Sequence, residues 1–391
     1  MRYGPIETGD DEQVGEILGA AFAFPPEEAG EWIARSGREN ARVVHDGSTP
    51  VAAHLQIPMG HFFGGRPVSA VGIAGVGVAL EARGGHIAKA MMRSCIQELA
   101  NRKVALSSLY ASTQTLYRRV GYELAGKTTE LSIRLDRIET TVSADGLTIR
   151  RLGEDDKPRI EDLYRSTAPE TNGALDRGPY IWRRVYEPRG KKVRGFGFFD
   201  GDRLEAYLYV AQHRSDPSSP RHDLWATDFR ATTARGYAAI FAFARRQRSV
   251  ADELGLYSVP SAPYLSLLTE RCYDETCGED WLVRVCDVEA ALTARGYSAF
   301  TTASVSFRLQ DEIVAANDGV WTLSLERGKA RIARGGTPAA SLDVRAFAQL
   351  YTGYATAAAL ARMGLIDGSR EAALALDAIF TAPMPAMADR F

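Results

Sequence analysis

Three short phrases occur twice in this chain, in the same order, and this repetition restricts the fold more than any other feature. An Asp-Asp pair precedes a helical pattern, an Asp-Gly pair precedes a strand-like stretch, and an Ala-x-x-Ala-Arg-Gly phrase precedes a second helical pattern. The copies lie at 10–11 and 155–156, at 46–47 and 200–201, and at 79–84 and 231–236. Since repeated phrases at a similar interval indicate repeated structural units, we expect two related domains.

The remainder of the chain has a different pattern. Residues 303–333 alternate between apolar and polar side chains, and Asn-Asp-Gly at 317–319 is expected to form a hairpin turn. Residues 339–366 are alanine-rich and predict helix, and residues 368–380 predict a capped helix. These patterns indicate a third, smaller α+β unit. The expected domains are 1–143, 144–288 and 289–391, which is consistent with a length of 391 residues.

Composition and charge argue against two classes of partner. A net charge of −2 provides no general attraction for nucleic acid, so no nucleic-acid partner is expected. The N-terminal residues are acidic and lack the apolar centre of a signal peptide. No apolar run reaches the ~18 residues that a membrane span requires. We therefore expect a cytoplasmic protein without a membrane partner.

The cysteines and histidines do not have the spacing of a metal site. The four cysteines form no CxxC pair, and the six histidines are scattered without an HExxH motif. The cysteines are Cys95, Cys272, Cys277 and Cys286. No metal is expected.

A basic, glycine-rich joint between a strand and a helix is the clearest candidate for a binding site. Residues 72–80 predict a buried strand, residues 87–100 predict an amphipathic helix, and Arg83, Gly84 and Gly85 lie between them. A helix N-terminus offers unpaired NH groups and a positive dipole end, so this joint predicts a phosphate site. In the second copy Tyr237 replaces one glycine, so we expect no such site there.

The order of motifs around this joint resembles the Gcn5-related N-acetyltransferases, or GNAT enzymes. After the helix come a strand-like segment at 103–112 and the phrase LeuTyrArgArgValGlyTyr at 116–122. The pyrophosphate loop of that family has the form Arg/Gln-x-x-Gly-x-Gly/Ala. Arg83 and Ala88 supply its outer positions, whereas His86 stands where the central glycine is expected.

The whole chain is similar to the enhanced-intracellular-survival (Eis) group of aminoglycoside acetyltransferases within that family. The phrases that carry this likeness are at 109–122, at 281–297 and at the terminal phenylalanine. The resemblance implies an α/β (α+β) fold with two tandem GNAT domains and a smaller domain similar to sterol carrier proteins. It also implies a homo-oligomer, a hexamer.

The resemblance further implies acetyl-CoA as the acyl donor and assigns site residues. The expected donor site comprises Val76, Val78, Arg83, Gly84, Gly85, His86, Ala88 and Ser112. Tyr117 is the implied general acid, and the α-carboxylate of Phe391 is the implied base. Alternatively, Tyr117 only packs on a helix face, and the terminal segment docks without a chemical role.

An aromatic and acidic segment near the N-terminus is the candidate acceptor site. Phe24 and Trp32 lie beside Glu27 and Glu28, which predicts a pocket for a cationic amine or, alternatively, an ordinary amphipathic helix. The expected reaction is acetylation of an aminoglycoside-like or other small polyamine. Two other functions remain open: transfer of a longer acyl group to a peptide or natural-product amine, and non-catalytic binding of an apolar ligand.

Overall fold

The computed structural model describes residues 1–214, 218, 220–260, 262–276 and 278–391. Cys277 lies outside the described residues, and Cys95, Cys272 and Cys286 are buried free thiols. In chain order the strands are β1 (Arg2–Pro5), β2 (Ala41–Asp46), β3 (Thr49–Phe63), β4 (Arg66–Val78), β5 (Leu106–Tyr110), β6 (Glu123–Lys127), β7 (Thr129–Arg134), β8 (Thr148–Arg151), β9 (Leu175–Asp176), β10 (Val193–Asp200), β11 (Arg203–His213), β12 (His222–Ala231), β13 (Ala251–Ser258), β14 (Tyr273–Thr276), β15 (Asp280–Val285), β16 (Ala303–Gln310), β17 (Gly319–Glu326), β18 (Lys329–Arg334), β19 (Ala340–Asp343) and β20 (Ile366–Gly368).

The described residues form eleven α-helices. They are α1 (Asp11–Phe22), α2 (Pro26–Ser36), α3 (Ile87–Asn101), α4 (Gln114–Arg118), α5 (Lys157–Thr167), α6 (Pro179–Tyr186), α7 (Ala234–Arg246), α8 (Val288–Ala294), α9 (Val344–Thr352), α10 (Ala357–Arg362) and α11 (Arg370–Phe380). None of the helices in the described ranges has the length and apolar character to cross a membrane.

The first two sheets share one topology. In the first sheet β2, β3 and β4 are antiparallel and β5 runs parallel to β4. In the second sheet β10, β11 and β12 are antiparallel and β13 runs parallel to β12. The predicted α/β architecture of two related units is therefore confirmed, and a five-stranded sheet with its helices forms the third unit.

Two strands lie in the sheet of the other copy. The strand β7 lies within residues 1–143 but pairs with β13 and β14 of the second sheet. Reciprocally, β15 lies within residues 144–288 but is placed between β5 and β6 of the first sheet. Each sheet is thus completed by a strand that is distant in sequence, and the two units are bound together through their backbones.

The repeated phrases have equivalent structural roles. Asp10 accepts a hydrogen bond from the Glu7 NH at 2.7 Å, and Asp156 accepts one from the Gly153 NH at 2.9 Å, in each case three residues earlier. Both aspartates occupy the N-cap position of the helix that follows, but neither side chain caps its helix. Instead His45 contacts Asp10 at 3.1 Å, and Arg150 pairs with Asp156.

The third unit departs from the sequence prediction in two places. The Asn-Asp-Gly at 317–319 is not a tight hairpin turn, because β16 and β17 are joined by a longer loop. Buried Asn317 holds that loop by accepting from the Val288 NH at 3.0 Å and donating to Asp311 at 2.9 Å. Residues 339–366 are not helical throughout, because the strand β19 lies at the start of this segment. Ala340 and Leu342 are buried there with the period of a strand, beside β16.

Candidate active site

The first sheet opens where β4 and β5 diverge. Their parallel ladder covers Ala70 to Gly72 of β4 and Leu106 to Ser108 of β5. Beyond Gly72, β4 continues to Val78 without a strand partner on that side among the described residues. An edge of this kind has free backbone NH and C=O groups, so an extended ligand can pair with it.

A cavity of about 310 Å³ lies at the open end, between β4, α3 and α4. Eight of the residues expected from the sequence line it: Val76, Val78, Arg83, Gly84, Gly85, Ala88, Ser112 and Tyr117. His86 is not among the lining residues; it is exposed at the N-cap of α3. The structure therefore brings the expected donor residues together with Tyr117, apart from His86.

The loop at this cavity has the geometry that a phosphate requires. Gly84 has φ = +82°, and a Cβ added to it would have no neighbour within 4 Å, so its backbone is open to an approaching group. The Nε of Arg83 donates to the Val78 carbonyl at 3.2 Å while the side chain remains exposed. No side chain caps the N-terminus of α3. These residues fit the pyrophosphate of a coenzyme A thioester.

The equivalent joint of the second copy is closed by its own side chains. Thr233 accepts from the Gly236 NH at 3.0 Å, which caps α7. Arg235 binds Glu205 and Asp200, each at 2.6 Å. Hydrogen bonding from Arg235 lowers the pKa of the Glu205 carboxyl to about 2, so the pair stays charged. Tyr237 stacks on Tyr264 with ring centres 5.2 Å apart. In the second copy the counterparts of the Arg83 loop are thus already bound to side chains of the protein.

Tyr117 combines a buried ring with a hydroxyl group at this first cavity. The residue is 4 % exposed, and its ring packs against Tyr122 with centres 6.0 Å apart. Its hydroxyl has no hydrogen-bond partner in the described ranges. Burial raises the pKa of this hydroxyl to about 12, so it remains protonated at neutral pH. A group in this state can donate a proton to a ligand in the cavity.

The last residues of the chain are held between the first two units. The Ala386 NH donates to the Asn172 carbonyl at 2.8 Å, and Thr128 donates to the Met387 carbonyl at 2.7 Å. The Phe391 ring packs against Tyr110 at 5.6 Å and covers Gly72, where an added Cβ would lie 2.7 Å from the ring. Gly72 and Tyr110 lie where β4 and β5 diverge. Val76, which lines the first cavity, follows Gly72 by four residues in β4. Since a strand rises about 3.3 Å per residue, the two lie about 13 Å apart along the strand.

A buried ion triad that sequence reasoning missed fixes this segment. Arg177 contacts Asp389 at 2.8 Å and Asp228 at 2.6 Å, and all three side chains are nearly inaccessible to solvent. The adjacent Arg177 guanidinium holds the pKa of the Asp228 carboxyl below its usual range. The Asp228 carboxylate in turn raises the pKa of the Arg177 guanidinium. No local motif identifies these residues, because they come from three distant segments.

A second cavity, of about 540 Å³, lies beside the terminal segment. Phe24 and Trp32 line it, as expected, but Glu27 and Glu28 do not. Glu28 instead forms an ion pair with Arg189. Both cavities reach the end of α1, where Ala21 lines the first and Phe22 lines the second. The aromatic residues of the expected acceptor site thus line the cavity, whereas its two glutamates do not.

No group of three or more His, Cys, Asp or Glu side chains in the described chain has the geometry to hold a metal ion.

Two family models match this chain. Residues 2–125 match an acetyltransferase (GNAT) domain, and residues 288–388 match a sterol carrier protein domain. The first match includes the residues that line the first cavity, with Tyr117 among them, and the second begins near the boundary expected at residue 289.

Similar proteins cover nearly the whole chain. The N-acetyltransferase Eis of Mycobacterium tuberculosis is 26 % identical over 96 % of both chains. The crystal structure of a GCN5-related N-acetyltransferase from Anabaena variabilis is 29 % identical, with a TM-score of 0.94 over the full length of both chains. A GCN5-related N-acetyltransferase from Kribbella flavida is 25 % identical, with a TM-score of 0.86 over 100 % of this chain and 98 % of the other.

Proposed function

We propose that this chain, which is a GNAT N-acetyltransferase homologous to the Eis enzymes, acetylates a small-molecule amine with a donor bound in the cavity of its first unit. In this proposal residues 1–143 form the catalytic domain, 144–288 a degenerate GNAT domain, and 289–391 the sterol-carrier-like domain that delivers the terminal segment. The proposed donor is acetyl-CoA. The proposed location is the cytoplasm, where acetyl-CoA is available to the enzyme. The observation that carries the proposal is the convergence of the open β4 edge, the Arg83 loop and Tyr117 on one cavity.

Backbone and charge would hold the donor in this cavity. The open edge at Val76 and Val78 would pair with the extended pantetheine arm, and an NH of this edge would stabilise the acyl oxygen. Arg83, Gly84, Gly85 and the first NH groups of α3 would hold the pyrophosphate. When bound, the thioester supplies an activated acyl group and a thiol leaving group.

Two groups of this chain would move the protons. During transfer the amine nitrogen forms a bond to the acyl carbon, the carbon–sulfur bond breaks, and the amine loses one proton while the sulfur gains one. The Tyr117 hydroxyl is the proposed source of the proton for sulfur. The α-carboxylate of Phe391, positioned by the ring contacts with Gly72 and Tyr110, is the proposed base for the amine, directly or through water. The resemblance to Eis enzymes by itself suggests an aminoglycoside-like polyamine as acceptor, but the basic side chains that line the cavity beside the terminal segment disfavour a polycation.

Charge reversal at the donor loop tests the donor site. We expect coenzyme A to bind once per chain and Arg83→Glu to weaken this binding at least tenfold, because a carboxylate would face the pyrophosphate. Isothermal titration calorimetry measures both values.

Arg235→Gln is the matched control, since Arg235 is the counterpart of Arg83 in the second copy and is already bound to Glu205 and Asp200. We expect this variant to bind coenzyme A like the wild type. A stoichiometry near two, or equal affinity of Arg83→Glu and wild type, would remove the donor site from the first copy.

Assembly into a symmetric homo-oligomer, a hexamer, is also proposed. Large apolar side chains on the third unit support it: Phe300 is fully exposed, and Met363 and Leu374 are more than half exposed. Light scattering at micromolar concentration should give a mass several times that of one chain. A monomeric mass at that concentration would count against the assembly.

A further inference from the structure

The cavity beside the terminal segment has a basic wall. Five of its lining side chains are cationic: Arg35, Arg184, Arg189, Lys191 and Arg390. Asp389 is the only carboxylate among its lining residues in the described chain, and it is occupied by Arg177 at 2.8 Å. Because like charges placed side by side repel, an acceptor with several ammonium groups is disfavoured in this cavity.

Two of the five cations have no carboxylate partner among the described residues. The other three pair with acidic side chains outside the lining: Arg35 with Glu31, Arg189 with Glu28, and Arg390 with Glu279. Arg184 only donates to the Tyr180 hydroxyl at 3.5 Å, and Lys191 lies 5.4 Å from the centre of the Trp225 ring. Both side chains are exposed and therefore available to a ligand anion.

Aromatic rings form much of the remaining wall. Trp32 packs edge-on against Phe22 at 5.4 Å and against Phe24 at 5.9 Å. Trp225 packs edge-on against Tyr257 at 5.1 Å. A cavity with aromatic faces and two uncompensated cations recognises a ligand that has an apolar body and an anionic group.

We propose that the natural acceptor is a small amine with an aromatic or apolar body and a second, anionic group, a carboxylate or phosphate, that binds Arg184 and Lys191. This inference rests on the proposed acyl transfer, which supplies the reaction. Ala388 to Arg390 line the same cavity, so an amine held by its distal anion lies beside the terminal segment. Acidic peptides and aromatic amino-acid derivatives belong to this class, and polycationic aminoglycosides do not.

Matched acceptors with the same attacking amine test the inference. Phenylalanylglutamate and phenylalanylglutamine amide differ in distal charge, phenylalanylphosphoserine replaces carboxylate by phosphate, and spermidine and an aminoglycoside represent polycations. We expect thiol release from acetyl-CoA to show kcat/KM at least tenfold higher for the anionic dipeptides than for the neutral amide, through KM. The better of the two anionic dipeptides identifies the anion.

Charge reversal on the cavity wall gives the second readout. The double variant Arg184→Glu/Lys191→Glu should lose the preference for anions, whereas Arg183→Glu/Lys192→Glu should keep it, because Arg183 and Lys192 are not lining residues. Equal or better use of the neutral amide or of polycations by the wild type would overturn the inference and leave acyl transfer intact. Calorimetric binding of the anionic dipeptide without any turnover would instead refute acyl transfer and support the anion site.

Discussion

Replacing Tyr117 by phenylalanine should lower turnover by about 10²–10⁴-fold, the range typical of a lost general acid. The substitution keeps the ring that packs against Tyr122 and removes only a hydroxyl that has no protein partner in the described chain. The fold and the affinity for coenzyme A should therefore be nearly unchanged. Initial rates of thiol release, together with calorimetry of coenzyme A, measure the two effects separately.

The pKa of Tyr117 gives this prediction a pH dependence. Burial raises the pKa of the hydroxyl to about 12, so the proton remains available at all ordinary assay pH values. The rate should rise with pH as the acceptor amine loses its proton, and no fall due to Tyr117 should begin until the pH approaches 12. Tyr122→Phe is not a neutral control, because it would remove the hydrogen bond between the Tyr122 and Ser107 hydroxyls. Near-normal turnover of Tyr117→Phe would return Tyr117 to a packing role.

Moving the terminal carboxylate should have a comparably large effect. Deletion of Phe391 removes the ring that covers Gly72 and transfers the carboxylate to Arg390, and addition of two lysines after Phe391 keeps the ring but converts its carboxylate to an amide. We expect both proteins to fold, to bind coenzyme A, and to lose most of their turnover, about 10²-fold or more.

The extended protein contains its own control. Carboxypeptidase B removes C-terminal lysines and would restore Phe391 as the last residue, so activity should return on trimming. Arg390, which contacts Tyr257 at 2.9 Å, keeps its place in both forms. Full turnover of the extended, untrimmed protein would exclude the carboxylate as the base and leave only a docking role for the segment.

The donor loop was predictable from the sequence because its chemistry is local. A strand, two glycines beside Arg83 and a helix start lie within a short stretch, and the backbone of such a stretch determines where each group points. The repeated phrases likewise predicted two related units. The exchange of β7 and β15 was not predictable, because strand pairing between distant segments leaves no periodic signal in either strand.

The acceptor cavity shows the limit of the same reasoning. The cluster of Phe24, Trp32 and nearby glutamates suggested an acidic pocket, but three of the five cations of the cavity come from α6 and the residues that follow it. Glu28 forms an ion pair with Arg189 instead of lining the cavity, and no sequence spacing relates these two residues. The charge of a cavity depends on which distant segments meet there. The sign of the charge in this cavity could therefore be read only from the three-dimensional structure.

The most direct test of the central claim is mass spectrometry of the products formed from acetyl-CoA and a panel of amines, with thiol release measured in parallel. We expect an amine in which one acetyl group replaces one hydrogen, one free thiol for each product, and loss of both signals in Tyr117→Phe. Thiol release without an acetylated amine, or amine acetylation that is unchanged in Tyr117→Phe and Arg83→Glu, would contradict the central claim.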